Sequence, residues 1–325
     1  MLTAQDFTGV YGILAPPATQ GADQWDATDT VDLEETARLT EKLIADGCSG
    51  LLALGTTGEC ATLTGDEFEA FADCLLSTVD KRVPVLVGAT TLGTHETVRR
   101  MRFLRDRGAD GTMLGLPMWQ PCSEEQAVKF YASISEAFPD MAIMVYANPH
   151  AFRFSFPPSF WGAVAAAAPT VTSAKFANPA TYLDCLAASS SKINFLPIDS
   201  MALMFAQQAP DAMTACWATA ACMGPQPCVA LMEAIAAKDL DRAGEITKDI
   251  SWANETFIPG GNVEEFGKFN LQLEKIRFNE SGYCKPGPIR PPYDVVPENY
   301  AAGARECGRR WADLVKKYTS TGVRQ

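Results

Sequence analysis

Short apolar runs rich in Val, Ile, Leu and Met alternate along the chain with longer stretches whose apolar positions recur every three or four residues. The runs are GVYGILAP from Gly9, SGLLALG from Ser49, VPVLVGAT from Val83 and ADGTMLGLP from Ala109. They continue as AIMVYANP from Ala142, TVTSAKFA from Thr170, INFLPID from Ile193 and AMTACWA from Ala212. None alternates polar and apolar residues as a strand wetted on one face would, so they predict strands buried on both faces. Between the earlier runs, VDLEETARLTEKLIADG, DEFEAFADCLLSTVDKR, HETVRRMRFLRDRG and EEQAVKFYASISEAF place apolar residues on one side of a helix and charge on the other. Thr64 with Glu67, and Ser123 with Gln126, have capping-box spacing. Gly47 and Gly108 stand where helices should stop.

Buried strands alternating with helices predict a parallel sheet covered by helices. Eight of them in this length of chain fit a (β/α)8 TIM barrel over residues 1–238. A doubly wound sheet is the alternative, but no G-x-G-x-x-G follows the first strand. Beyond residue 238 the strand signal ends. DLDRAGEITKDISWANETF, VEEFGKFNLQLEKIRFNESG and PENYAAGARECGRRWADLVKKY predict a helical extension over 239–325. KPGPIRPPYDVVP, from Lys285, should be a stiff connector between the last two helices.

Composition narrows the function. With 47% hydrophobic residues the 325-residue chain can bury a large core. Its 27 basic and 39 acidic residues give a net charge of −12 without any basic run, which argues against nucleic acid or an anionic membrane as partner. No apolar run approaches the length of a membrane span. The ten cysteines form no C-x-x-C pair, and no Lys or Arg precedes Arg38, so the expectation is reduced thiols in a cytoplasmic protein. Two distant histidines, His95 and His150, lack ligand spacing, so no metal is expected, and a nucleophilic amine serving as electron sink would need no other cofactor.

The candidate chemistry lies at strand ends, where barrel active sites form. Lys175 is the only charged residue from Phe154 to Leu183 and ends the sixth strand. Burial favours the neutral amine, which is nucleophilic toward a carbonyl. The competing reading is a lysine that runs its ammonium to solvent or pairs with a carboxylate. The second strand enters Gly55-Thr56-Thr57-Gly58-Glu59, a tight loop of hydroxyls and N–H groups suited to an anion. The fifth ends in Tyr146-Ala147-Asn148-Pro149, with a tyrosine placed to exchange protons. Each motif is weak alone. Together they supply an amine, a proton shuttle and a carboxylate cradle at one barrel mouth.

This constellation resembles the dihydrodipicolinate synthase/N-acetylneuraminate lyase family of class I aldolases. The resemblance implies a Schiff base on Lys175, proton transfer by Tyr146, and a small-molecule 2-oxo acid held by Gly55, Thr56 and Thr57. It also implies a homo-oligomer, a tetramer by family resemblance. Departures are informative. The synthases' Y-N-x-P-x-R is Tyr146-Ala147-Asn148-Pro149-His150-Ala151 here, without the arginine, and Met118 and Trp119 stand in place of their paired tyrosines.

TVDLEETAR, GECATLT, GTMLGLPMW, YANPHAFRFSFP, CMGP and KPGPIRPPY are similar to one branch, the benzylidenepyruvate hydratase-aldolases. That branch implies cleavage of an aryl-substituted 2-oxobut-3-enoate to pyruvate and an aromatic aldehyde. Asn148 is then a candidate to bind the added water, or a plain turn residue. Trp217 and Trp119 are candidates for the aryl pocket, or barrel core. The resemblance places Asn270 and Gln272 near the ring's ortho group. His150, Gln272 and the small Thr57 favour 2′-carboxybenzalpyruvate, which would give 2-formylbenzoate. The alternative is the 2′-hydroxy compound, which would give salicylaldehyde. A pyridoxal-phosphate barrel would want a Gly-rich phosphate loop where the chain reads ACWATAACMGPQP. A non-catalytic 2-oxo-acid sensor would need neither Lys175 nor Tyr146.

Overall fold

The structure is a computed structural model that describes residues 1–321. All eight expected strands form: β1 (Gly9–Leu14), β2 (Gly50–Ala53), β3 (Val85–Val87), β4 (Gly111–Leu114), β5 (Ala142–Tyr146), β6 (Val171–Lys175), β7 (Asn194–Leu196) and β8 (Ala215–Ala218). They pair in parallel in the order β7-β6-β5-β4-β3-β2-β1-β8. A parallel bridge between Ile198 and Trp217 closes the ring, with the Trp217 N–H donating to the Pro197 carbonyl at 2.9 Å. The (β/α)8 barrel is thereby nearly closed, which leaves little sheet edge.

The early helices match their amphipathic pattern, and both capping boxes form, on the helices Gly65–Val79 and Glu124–Ala137. Gly47 and Gly108 follow helices with φ of 101° and 82°, the region that a Cβ disfavours. Helices also cover the second half of the barrel, at Pro158–Ala167, Tyr182–Ala188, Ala202–Gln208 and Gln226–Ala236. Their charges are limited to Asp184 and Glu233, so no polar stripe marks them in the sequence. Among the described residues no helix is long and apolar enough to cross a membrane.

The extension differs from the expected pattern in one respect. VEEFGKFNLQLEKIRFNESG is not one helix but two, Val263–Lys268 and Asn270–Ser281, broken at Phe269 (φ −125°, ψ 17°). Asn262 caps the first piece by accepting from the Glu264 and Glu265 N–H groups, and the break redirects the second piece toward the barrel mouth. Its residues 271–275, 277 and 278 are buried, three of them charged. Ile250, Leu273, Phe278 and Trp311 share one continuous core with the strands. The connector packs on the β1 loop, where Ala18 N–H donates to the Pro286 carbonyl at 3.0 Å.

The last helix, Glu298–Thr321, lies close against its neighbours through two glycines. A Cβ on Gly303 would fall 2.3 Å from the Thr256 carbonyl, and one on Gly308 would fall 2.5 Å from the Arg277 carbonyl. Trp311, beyond them, donates from its indole to the Gly224 carbonyl at 2.9 Å. Overpacking of this kind costs about 1–3 kcal/mol. Gly308→Val is therefore expected to lower unfolding free energy by about that amount in urea titration, whereas Gly244→Ala, which meets no neighbour within 4 Å, should not destabilise.

Candidate active site

Tyr146 and Lys175 are the last residues of β5 and β6 and stand opposite each other in the ladder. Alternation sends both side chains into the barrel. The next residue, Phe176, faces outward among Trp161, Phe195 and Phe205, with ring centroids 6.0, 5.2 and 6.3 Å away. That aromatic layer fixes the end of β6. Inside, Lys175 is 7% exposed. Its Nζ lies 4.5 Å from the Tyr146 ring centroid and 4.0 Å from that of Trp217, the residue that closes the barrel. Among the described residues no oxygen accepts a hydrogen bond from it. Lys175 neither pairs with a carboxylate nor runs its amine out to solvent.

The Tyr146 hydroxyl has two partners, Thr56 Oγ1 at 2.8 Å and Asn148 Nδ2 at 3.1 Å. The Asn148 amide is oriented by the chain itself. Its Oδ1 accepts from the His150 and Ala151 N–H groups at 3.1 Å each and so caps the short helix Pro149–Phe152. The amide nitrogen must then point at Tyr146, and it can only donate. The phenol oxygen accepts that bond and shares a proton with Thr56.

The loop after β2 turns sharply, with φ of 57° at Leu54 and 52° at Glu59. Glu59 N–H donates to the Thr56 carbonyl at 3.0 Å and Cys60 N–H to the Gly55 carbonyl at 3.2 Å. The N–H groups of Thr56 and Thr57 donate to no acceptor among the described residues. Gly55 packs against the strand-end side chains: a Cβ there would come 2.9 Å from the flexible Met113 Cε and 3.5 Å from Tyr146 Cε1. Thr56 is exposed to the mouth, and Thr57 is buried, its hydroxyl 3.4 Å from Asn270 Oδ1. Hydroxyls and unbonded N–H groups facing one opening can hold a carboxylate.

Of the residues expected at the site, Lys175, Tyr146, Asn148, Gly55, Thr56, Thr57, Trp217 and Asn270 are linked by these contacts. Trp217 also leaves its buried indole N–H without a partner. Gln272 is buried, and its amide donates to the Val295 carbonyl at 3.3 Å rather than to any of them. His150 is exposed on its short helix. Trp119 is 73% exposed and lines an open groove of about 520 Å³ with Leu92, Pro117, Pro121 and Phe130, which does not include the lysine. Arg153, unremarked in the sequence, donates to the Met118 and Trp119 carbonyls at 2.7 and 2.5 Å and holds that loop.

Sequence reasoning also missed a layer of buried charge behind the mouth. Glu59 accepts from Lys275 at 2.8 Å and pairs with Arg290 at 3.0 Å. Arg277 pairs with Glu274, donates to Thr219 just past β8 at 2.8 Å, and lies 3.8 Å over the Phe257 ring. Burial raises the Glu274 carboxyl above its ordinary range, against the pull of Arg277. Burial likewise pushes Asp199, just past β7, up to about 6, against the pull of Arg277. The readable signal was three charges set among the apolar residues of the run LQLEKIRF.

A family description, "Dihydrodipicolinate synthetase family", matches residues 12–250. The trans-O-hydroxybenzylidenepyruvate hydratase-aldolase of Pseudomonas aeruginosa is 43% identical over 98% of this chain and 96% of its own length. The trans-2'-carboxybenzalpyruvate hydratase-aldolase of Nocardioides sp. (strain KP7) is 38% identical over 98% and 97%. Among solved structures, PhdJ bound to a substrate intermediate superposes with a TM-score of 0.95 at 39% identity, covering 98% of this chain and 99% of that one.

Asp199 makes stability depend on pH in a definite sense. A carboxyl at about 6 in the folded chain and 3.8 unfolded stabilises the fold fully below pH 3.8, and that contribution is lost as pH rises through 6. The loss is roughly 3 kcal/mol. Asp199→Asn should therefore be more stable than the parent at pH 8 and converge with it near pH 4. Urea midpoints of the two proteins across that range check this, and parallel curves would contradict it.

Proposed function

The chain belongs to the dihydrodipicolinate synthetase family and is a lyase of the hydratase-aldolase type, and on that premise we propose that Lys175 forms a Schiff base with an ortho-substituted benzylidenepyruvate. The observation that carries this reading is the Lys175 amine itself, enclosed, without an acceptor, and facing a tyrosine already bonded to the threonine loop.

In this reading the substrate's carboxylate sits against Thr56, Thr57 and the backbone beginning at Gly55. The Lys175 amine adds to the C2 ketone and water leaves, giving an iminium conjugated with the double bond and the ring. The cation draws electrons from the benzylic carbon, so water adds there and loses a proton. The double-bond electrons pass to the C2–nitrogen unit as an enamine, and protonation of C3 restores the iminium, leaving a benzylic hydroxyl. Asn148 orients Tyr146, whose oxygen takes the hydroxyl proton. The carbon–carbon bond then breaks, the aromatic aldehyde departs, and the electron pair passes to the iminium as an enamine. Protonation of the enamine carbon and hydrolysis release pyruvate and regenerate the amine. One electron sink serves both hydration and cleavage. The reading needs no cofactor.

Trp217 and Asn270 flank the position of the aryl group, with Gln272 behind. The first substrate reading is 2′-carboxybenzalpyruvate, supported by the small Thr57 and by the polar side chains of Gln272 and His150. The second, the 2′-hydroxy compound, is favoured by the engagement of the Gln272 amide with the Val295 carbonyl, which leaves fewer donors for a second carboxylate. A homo-oligomer, tetrameric by family resemblance, in the cytoplasm completes the proposal.

Borohydride reduction in the presence of pyruvate should modify the peptide carrying Lys175. Lys175→Ala should remain folded, escape modification and lose turnover by at least about a thousandfold. An unmodified Lys175 peptide in the parent, or turnover by the alanine variant, sinks the reading. Tyr146→Phe should retain trapping while kcat falls roughly 10²–10⁴-fold. The ratio of kcat/KM for the carboxy and hydroxy substrates decides between them.

A further inference from the structure

Glu59 ends the Gly55–Glu59 loop, yet it cannot touch a ligand. It is 0% exposed, and both carboxylate oxygens are occupied: Oε1 by Lys275 at 2.8 Å, Oε2 by Arg290 at 3.0 Å. Thr62 Oγ1 adds a longer contact to Oε2 at 3.4 Å. The two cations come from different parts of the extension. Lys275 lies on the helix Asn270–Ser281 and also donates to the Pro288 carbonyl at 2.7 Å. Arg290 lies on the Pro-rich connector and reaches into the β1 loop, donating to Thr30 Oγ1 at 2.8 Å and the Thr30 carbonyl at 2.7 Å. It also donates to the Pro16 and Pro17 carbonyls, each at 3.3 Å.

The loop after β2 and two parts of the distant extension therefore meet on one buried carboxylate. The loop needs that support. Two non-glycine residues, Leu54 and Glu59, hold left-handed backbone angles, and two turn hydrogen bonds close it. Its other tie to the extension is the long 3.4 Å contact of Thr57 with Asn270. Glu59 and Thr57 are gripped by the same helix, Glu59 through Lys275 and Thr57 through Asn270, so one rigid element sets where the Thr56 and Thr57 hydroxyls and N–H groups stand.

We propose that Glu59 is a positioning residue, which through Lys275 and Arg290 lets the C-terminal extension fix the cradle for the carboxylate of the 2-oxo acid. This rests on the Schiff-base reading above. It assigns the extension a role in substrate affinity rather than in the bond-making steps. A buried ion cluster that merely held the fold together would change stability and leave the concentration dependence of the first covalent step alone.

The test is borohydride trapping on the full chain with pyruvate, and in parallel with methyl pyruvate, which keeps the ketone and lacks the carboxylate charge. Glu59→Gln and Lys275→Met should raise the half-saturating pyruvate concentration about tenfold while the limiting trapping rate falls less than threefold. Lys275→Arg, which keeps the donor, should recover most of the affinity. Methyl pyruvate should be trapped with the same concentration dependence by all four proteins. An unchanged pyruvate dependence in a folded Glu59→Gln or Lys275→Met protein overturns the proposal, as does equal weakening toward both ketones. Failure of every variant to fold assigns the cluster to stability alone and overturns it too. Absence of trapping in the parent protein instead overturns the Schiff-base reading.

Discussion

Everything at the barrel mouth depends on keeping one amine out of water without giving it an acceptor. A lysine head left alone at a strand end would reach solvent or find a carboxylate. Here the β5–β6 register sets it beside Tyr146, and barrel closure brings Trp217 over it from the other side. The two ring faces lie against the nitrogen, 4.5 and 4.0 Å to their centroids, and neither presents an oxygen acceptor to it.

The hydrogen bonds around Tyr146 follow from local chain geometry rather than from a dedicated catalytic insertion. Asn148 is first of all a helix cap. Because its oxygen is committed to two backbone N–H groups, its nitrogen has one direction left, and that direction is the phenol. The turn and the proton network are the same structure. The relation of the loops to the synthases is similar in logic. The arginine absent from the strand-five motif is not replaced at its place; Arg153, further along, is spent on the carbonyls of Met118 and Trp119, shaping the neighbouring loop.

The extension is bound to this mouth by charge rather than by apolar packing alone. Charges removed from water must be paired, and pairing imposes distances. Glu59 with Lys275 and Arg290, and Arg277 with Glu274 and Thr219, fasten one helix and one connector to the loops that follow β1, β2 and β8. Close approach of the final helix, through Gly303 and Gly308, presses that helix into place from behind.

The sequence by itself determined the strands, the amphipathic early helices with their caps, and the identity of the strand-end residues. These are set by local periodicity and by side chains that bond to their own backbone. Lys175 was conspicuous because charge is absent for many residues on either side of it. The Ala-rich later helices were not legible, since a helix apolar nearly all round has no stripe to read. Trp217, Trp119 and His150 looked alike as candidates, yet only Trp217 lies over the amine, because exposure depends on which loops face the mouth. The break at Phe269 and the partners of Glu59 were decided by tertiary structure alone. Those contacts join residues more than two hundred positions apart, and no local pattern encodes which distant cation a buried carboxylate will meet.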